Sequence, residues 1–200
     1  MFTGIIQAVG HVQSLKETQG GDAHLRIAVG GLDMSDVQLG DSIANNGVCL
    51  TVVEKTASTF DVVVSGETFA CTIGFAPGDV LNLEKAMRLS DRLGGHLVSG
   101  HVDGVGEVLR FEPIGDSWLL QIRAPEKMGR YLAPKGSVAV NGVSLTVNTV
   151  QGLDFSINLI PHTLQNTMLH TLKAGAQVNL EADMLARYAD RLLSYTQTQS

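Results

Sequence analysis

The sequence predicts an all-β protein of two similar small barrels followed by a C-terminal helix, and three observations carry that prediction. The string NGVCLTV at residues 46–52 returns as NGVSLTV at residues 141–147, an offset of 95 in a chain of 200. The segments around both copies are short and rich in β-branched residues, with Gly, Asp and Asn clusters between them, which is the pattern of strands joined by turns. Only the segment MLARYADRLLSY at residues 184–195 places apolar residues at helical spacing without Gly or Pro.

Taken in order, the chain supports a duplication that extends well beyond the string. MFTGII at 1–6 matches LVSGHV at 97–102, which sets Thr3 on Ser99, Gly4 on Gly100 and Ile5 on His101. GETFACT from Gly66 parallels PHTLQNT from Pro161, and APGDVLNLE ending at Glu84 matches KAGAQVNLE ending at Glu181. Strands are expected at 5–15, 24–29, 48–53 and 60–64, then at 101–111, 117–123, 138–140, 143–150 and 155–160. So many short strands in each unit predict a closed barrel, because closure removes edges that would otherwise pair with other chains. Two such barrels would be related by an approximate twofold axis. The apolar pattern lapses in SDRLGG at 90–95, so the units are 1–95 and 96–183, with 184–200 as helix and tail. The helical stripe of Leu185, Tyr188, Ala189 and Leu192 needs cover, either from another copy of the chain or from its own barrel. The closing TQTQS is polar and is expected to fray.

Composition narrows the function. With 44% hydrophobic and 17% charged residues the chain can bury a real core. A formal charge of −6 argues against nucleic acid or an anionic membrane as partner, since both are held by clustered Lys and Arg. No apolar run reaches the roughly 20 residues of a membrane span, and the N-terminus lacks a secretory signal. The expected setting is the cytoplasm. Cys49 and Cys71 are too few for a disulfide framework and lack metal-ligand spacing, so both are expected as reduced thiols. A small, mostly uncharged ligand fits these limits.

Within the duplicated string one position differs, Cys49 against Ser144. Cys49 is the only potent nucleophile in either copy, and a thiol becomes reactive beside a base or cation; a lone Cys on a strand can equally be a small buried hydrophobe. His96 and His101 in GGHLVSGH are the candidate proton carriers, and His101 replaces an aliphatic residue at a matched position, where acid–base chemistry would need it. The alternative is a histidine satisfied by backbone groups. Ser42, Thr51, Thr68, Ser144, Thr146 and Thr163 put hydroxyls at or near matched points, which suits two pockets for a hydroxyl-rich ligand. Lys135 precedes the second string and could hold negative charge on a ligand oxygen, or be an ordinary turn lysine. Asp183 directly precedes the helical stripe, as an N-cap or as a base. Cys71 has no comparable context and reads as filler.

Together MFTGII, the two strings, GGHLVSGHVDG, LIPHTL and the terminal helix resemble the riboflavin synthase family over nearly the whole chain. The resemblance implies two six-stranded Greek-key barrels, each binding one lumazine, and a homotrimer formed through the helix. It implies a transferase that moves a four-carbon unit between two molecules of 6,7-dimethyl-8-ribityllumazine, giving riboflavin and 5-amino-6-ribitylaminouracil, without any cofactor. Facing pockets would come from the first barrel of one subunit and the second barrel of another. The implied catalytic set is Phe2, Ser42, Cys49, His101, Lys135, Ser144 and Asp183. Implied ligand contacts in the first unit are Gly4, Ile5, Ile6, Cys49, Leu50, Thr51, Val63, Val64, Ser65, Gly66, Glu67 and Thr68. Those in the second are Gly100, His101, Val102, Lys135, Ser144, Leu145, Thr146, Asn158, Leu159, Ile160, Pro161, His162 and Thr163. Asn141 stands where the family often has Asp, so no base role is expected of it. Lumazine synthase is a candidate partner. The rival implied by resemblance is a fluorescent antenna protein that binds the chromophore without turning it over, and a weaker one is a structural trimer with vestigial pockets.

Overall fold

The computed structural model describes residues 1–18 and 20–197. In the first unit β1 (Ala8–Glu17), β2 (Ala23–Ala28), β3 (Ser42–Asn45), β4 (Val48–Lys55), β5 (Thr59–Val64) and β6 (Val80–Lys85) close into a barrel in the order β1-β2-β5-β4-β3-β6. In the second unit β7 (Gly104–Ile114), β8 (Ser117–Arg123), β9 (Ser137–Val140), β10 (Val143–Thr146), β11 (Thr149–Gln151), β12 (Asp154–Leu159) and β13 (Gln177–Ala182) run β10-β9-β13-β7-β8-β12-β11. That is the same circle of strands, cut where β4 has its counterpart.

The cut has a local cause. β4 carries a bulge between Val52 and Glu54, where an extra residue bends a strand, and the second string is interrupted at the same place, between Thr146 and Thr149. The bonds around it are shared: Val52 N–H donates to the Asp41 carbonyl and Val147 N–H to the Gly136 carbonyl, both at 2.9 Å. The second unit is therefore a curled sheet on the same path, with edge strands that are consecutive in the chain.

Alternating side chains fill the two interiors. Leu25, Ile27, Phe60, Val62, Leu81 and Leu83 pack inside the first barrel, and Leu120, Ile122, Phe155, Ile157, Val178 and Leu180 inside the second, all fully buried or nearly so. Burial of each such side chain contributes roughly 1.5–3 kcal/mol. A short helix follows a matching strand in each unit, α1 (Gly66–Cys71) after β5 and α2 (Pro161–Asn166) after β12. Both are too short to show a helical period, so the sequence pattern does not reveal them. Ser65 caps α1 by accepting from Thr68 N–H, and Pro161 opens α2 where no N–H is needed.

β1 and β7 start later than expected, at Ala8 and Gly104 rather than at 5 and 101. The reason lies in Gly4 and Gly100, whose φ of +74° and +79° turns the chain before each strand. These turned segments cross between the units. Ile6 packs on the second barrel's core and Val102 on the first's, while Phe2 and Val98 exchange backbone hydrogen bonds of 2.8 and 3.1 Å.

The crossing obeys a twofold relation. Asn46 and Asn141, at φ of 46° and 45°, lead the two Asn-Gly turns, and these turns meet. A Cβ placed on Gly47 would lie 2.8 Å from Gly142 N, and one on Gly142 would lie 2.8 Å from Gly47 N. Asn82 Nδ2 donates to the Asn141 carbonyl and Asn179 Nδ2 to the Asn46 carbonyl, each at 2.9 Å. Asn82 Oδ1 accepts from Met168 N–H, and Asn179 Oδ1 from Ile73 N–H. Asn82 and Asn179 thus satisfy backbone groups across the axis, while Asn46 and Asn141 accept from the Asn82 and Asn179 N–H groups of their own units.

The C-terminal helix α3 (Met184–Gln197) is two residues longer than its apolar stripe implied. Of the tail expected to fray, residues 198–200 lie outside the described residues. One side of α3 is tied down by Arg187 to Asp103 and by Asp190 to Arg130, both at 2.7 Å. The stripe does not pack back on its own barrel: Leu185, Tyr188 and Leu192 are 66 to 69% exposed.

Candidate active site

Each copy of the string lies against the crossing segment from the other unit, which makes two matched sites. At the first, Cys49 N–H donates to the Gly100 carbonyl at 2.9 Å. Glu181 holds that segment in turn, accepting from Ser99 N–H and Oγ–H at 2.6 Å and from Gly100 N–H at 2.9 Å. A Cβ on Gly100 would sit 2.6 Å from Cys49 Cβ, so only glycine permits this approach. The result is a cleft of about 190 Å3 lined by Val48, Cys49, Glu67, Thr68, Cys71, Thr72, Gly100, His101 and Val102.

Phe2 is fully buried beneath this site, and its ring lies 2.9 Å from where a Gly100 Cβ would be. Cys71 belongs to the cleft as well, which sequence reasoning missed. Its thiol donates to Glu67 at 3.3 Å, and that carboxylate pushes the thiol pKa up. Cys71 is therefore a protonated donor rather than a second nucleophile. A detectable signal was present: Glu67 and Cys71 stand four apart on α1, and they match His162 and Asn166 on α2, which also bond each other.

At the second site Ser144 N–H donates to the Gly4 carbonyl at 2.8 Å. Glu84 mirrors Glu181, accepting from Thr3 N–H and Oγ1–H at 2.7 Å and from Gly4 N–H at 2.9 Å. Burial pushes the Glu84 carboxyl above the usual range, against the pull of those hydrogen bonds. The hydroxyl of Ser144 lies 2.7 Å from His96 Nδ1. His96 is 8% exposed, and its Nε2 has no hydrogen-bond partner among the described residues. Burial lowers its pKa, with the charge of nearby Asp183 opposing that shift. The ring is therefore neutral near pH 7 and can accept the Ser144 proton. Asp183 also caps α3, its Oδ1 accepting from Leu185 N–H at 3.0 Å. Nothing in the sequence pairs His96 with Ser144, which lie 48 residues apart.

Other expected residues fall at varied distances from these centres. Ser42 pairs with Thr51 across β3 and β4 and lines a separate cleft of about 230 Å3 with Asp36, Lys85 and Arg88. Lys135 is exposed at a turn with φ +69°, its N–H bonded to the Val147 carbonyl. Leu50 is buried in the first barrel, Leu145 packs on the second, and Thr51 and Thr146 point to solvent. Val63 and Asn158 are exposed, Val64 and Leu159 point into the barrels, and Ser65 and Ile160 are exposed again. Gly66 and Pro161 begin α1 and α2, Glu67 and His162 are exposed, and Thr68 and Thr163 are half-buried, Thr68 beside Cys49 in the first cleft. Ile5 is 50% exposed next to Gly4, at the position His101 fills on the other side. Asn141 is fully buried, and its Oδ1 accepts from Asn179 N–H.

A model of the lumazine binding domain matches residues 3–86 and again 99–183. The riboflavin synthase of Photobacterium phosphoreum is 47% identical, covering 96% of this chain and 89% of its own. That of Brucella abortus is 45% identical, covering 98% and 99%. Among solved structures, LumP complexed with riboflavin superposes with a TM-score of 0.81 at 24% identity, covering 91% of this chain and 99% of that one. LumP complexed with 6,7-dimethyl-8-(1'-D-ribityl) lumazine gives 0.80. At that identity the likeness is one of fold.

Proposed function

The chain belongs to the riboflavin synthase family of lumazine-binding proteins, and we propose that its two matched sites each hold one 6,7-dimethyl-8-ribityllumazine and treat it differently. The reaction is a transferase dismutation: a four-carbon unit passes from one lumazine to the other, leaving riboflavin and 5-amino-6-ribitylaminouracil. One observation carries this reading. A catalyst for two copies of one substrate needs two like pockets with unlike chemistry, and the duplicated folds present Cys49 with His101 at one and Ser144 with His96 and Asp183 at the other.

In this mechanism His101, or a water it holds, takes a proton from the C7 methyl of one ligand. At the second site neutral His96 accepts a proton from Ser144 or from a water bound there, so that oxygen can add at C7 of the other ligand. Cys49 positions its ligand by polar contact. Paired binding makes the encounter unimolecular, which can remove several kcal/mol of barrier, on the order of 7 or more.

The facing pair is proposed to form between subunits of a homotrimer, the first-barrel site of one against the second-barrel site of the next. The exposed Leu185, Tyr188 and Leu192 stripe supports assembly through α3. A cytoplasmic setting is proposed from the two free thiols, and lumazine synthase remains a proposed partner. Among the described residues no helix is long and apolar enough to cross a membrane. Incubation with the lumazine alone tests the reading: riboflavin absorbance should grow while the lumazine is consumed two for one. Tight fluorescent binding without turnover would overturn it in favour of an antenna role.

A further inference from the structure

The segment that carries His101 is gripped from both ends. Glu181 binds Ser99 and Gly100 on one side. On the other, Asp103 Oδ2 accepts from Ala182 N–H at 2.8 Å and from the Arg187 guanidinium at 2.7 Å, and the same guanidinium nitrogen donates to the His101 carbonyl at 3.3 Å. Residues 101–103 belong to no strand, since β7 begins at Gly104. Asp103 N–H donates to the Leu180 carbonyl at 2.8 Å, just ahead of the β7–β13 ladder, but among the described residues no backbone–backbone bond holds His101 or Val102. Between this segment and α3 lies an open cleft of about 390 Å3, lined by Ser99, His101, Met184, Arg187, Tyr188 and Arg191. A released segment has room to move.

The first repeat shows what the fold alone requires here. Gln7, opposite Asp103 at the offset of 96, accepts from Lys85 N–H at 3.0 Å, the counterpart of the Ala182 contact. A neutral acceptor is sufficient in the half where Ile5 stands. Only in the half that has His101 is the acceptor a carboxylate, 12% exposed at its side chain and so in need of a counter-charge. Only there does an arginine answer it, because the position 97 before Arg187 is Ser90.

We propose that Arg187 is a positioning residue for His101: through Asp103 and the His101 carbonyl it fixes residues 101–103 against α3 and so sets where the imidazole stands in the Cys49 cleft. Its assay rests on the reaction proposed above. Arg187→Ala should lower kcat about 10- to 100-fold, the loss expected of a catalytic group displaced by about 1 Å, while KM and riboflavin affinity stay within about threefold. Arg187→Lys should recover most of the rate, since one ammonium reaches the carboxylate. Asp103→Asn keeps the Ala182 contact and should lose rate as Arg187→Ala does, and the double variant should be no slower than either single one. Sedimentation should show unchanged assembly in all four. Wild-type kcat in Arg187→Ala overturns the proposal, and so does a loss that follows assembly or that Lys does not restore. If the unaltered chain makes no riboflavin, the reaction reading fails instead. The latch is then judged by hydrogen exchange of the amides of 100–103, which Arg187→Ala must speed by at least about tenfold.

Discussion

Replacing Gly100 by Ala should do more damage than any other single methyl in the first site. The new Cβ would stand 2.6 Å from Cys49 Cβ, 2.9 Å from Phe2 Cε2 and 3.0 Å from Cys49 N, where carbon contacts normally lie near 3.5–4.0 Å. Retreat is blocked, because Cys49 N–H is bonded to the Gly100 carbonyl at 2.9 Å and Phe2 is fully buried. Holding an L-residue at φ +79° costs about 1–2 kcal/mol. Loss of the backbone bond adds about 0.5–1.5, and overpacking against Phe2 about 1–3. The total is about 2.5–6.5 kcal/mol, a large share of the roughly 5–15 that holds a domain folded. Gly31→Ala is the control, with φ +104° and nothing within 4 Å of its Cβ, and should show only the backbone cost. Urea unfolding with matched m-values reads both. A Gly100→Ala midpoint equal to that of Gly31→Ala would refute the close-approach reasoning.

Cys49→Ser should cut turnover at least about tenfold while stability changes by less than about 1 kcal/mol; unchanged turnover would remove Cys49 from the mechanism. Asn82→Ala and Asn179→Ala should each destabilise by about 2–4 kcal/mol, because each strands a backbone carbonyl and an N–H across the axis. Losses below about 1 kcal/mol for either would show that the asparagines do not hold the axis. Because burial lowers the pKa of His96, the neutral ring is the folded form. Its stabilisation is complete above the ordinary value of 6.5 and is lost as pH falls from there through the lower folded value. Urea midpoints measured from pH 8 to 5 should therefore fall more in the unaltered chain than in His96→Gln, and parallel curves would contradict the assignment.

The duplication was legible because six of seven string positions match, and with it the β class and the terminal helix. What escaped was of two kinds. Short features carry no period: α1 and α2 are six residues each, and β6 and β13 were recognised as matching text without being read as strands. Contacts between the halves leave no local trace. Asn46 and Asn141 look like ordinary hairpin residues until the two turns are seen to meet, and Ser144 and His96, both of the second unit, are each bonded to the segment that crosses from the first, at the carbonyls of Gly4 and Thr3. His101 and Ile5 were rightly matched in sequence but wrongly laddered, since the glycine before each one turns the chain out of strand geometry.

The mirrored bonds at the axis have a genetic consequence. An interface in which the same patch meets itself is what two identical chains would form, and in such a pair every substitution lands on both sites at once. Here the two patches belong to one polypeptide. A codon for Cys49 can change while that for Ser144 stays, and His101 can arise without disturbing Ile5. Covalent fusion thus uncouples the inheritance of two sites whose geometry the axis keeps alike, so that one half can specialise without its twin being obliged to follow.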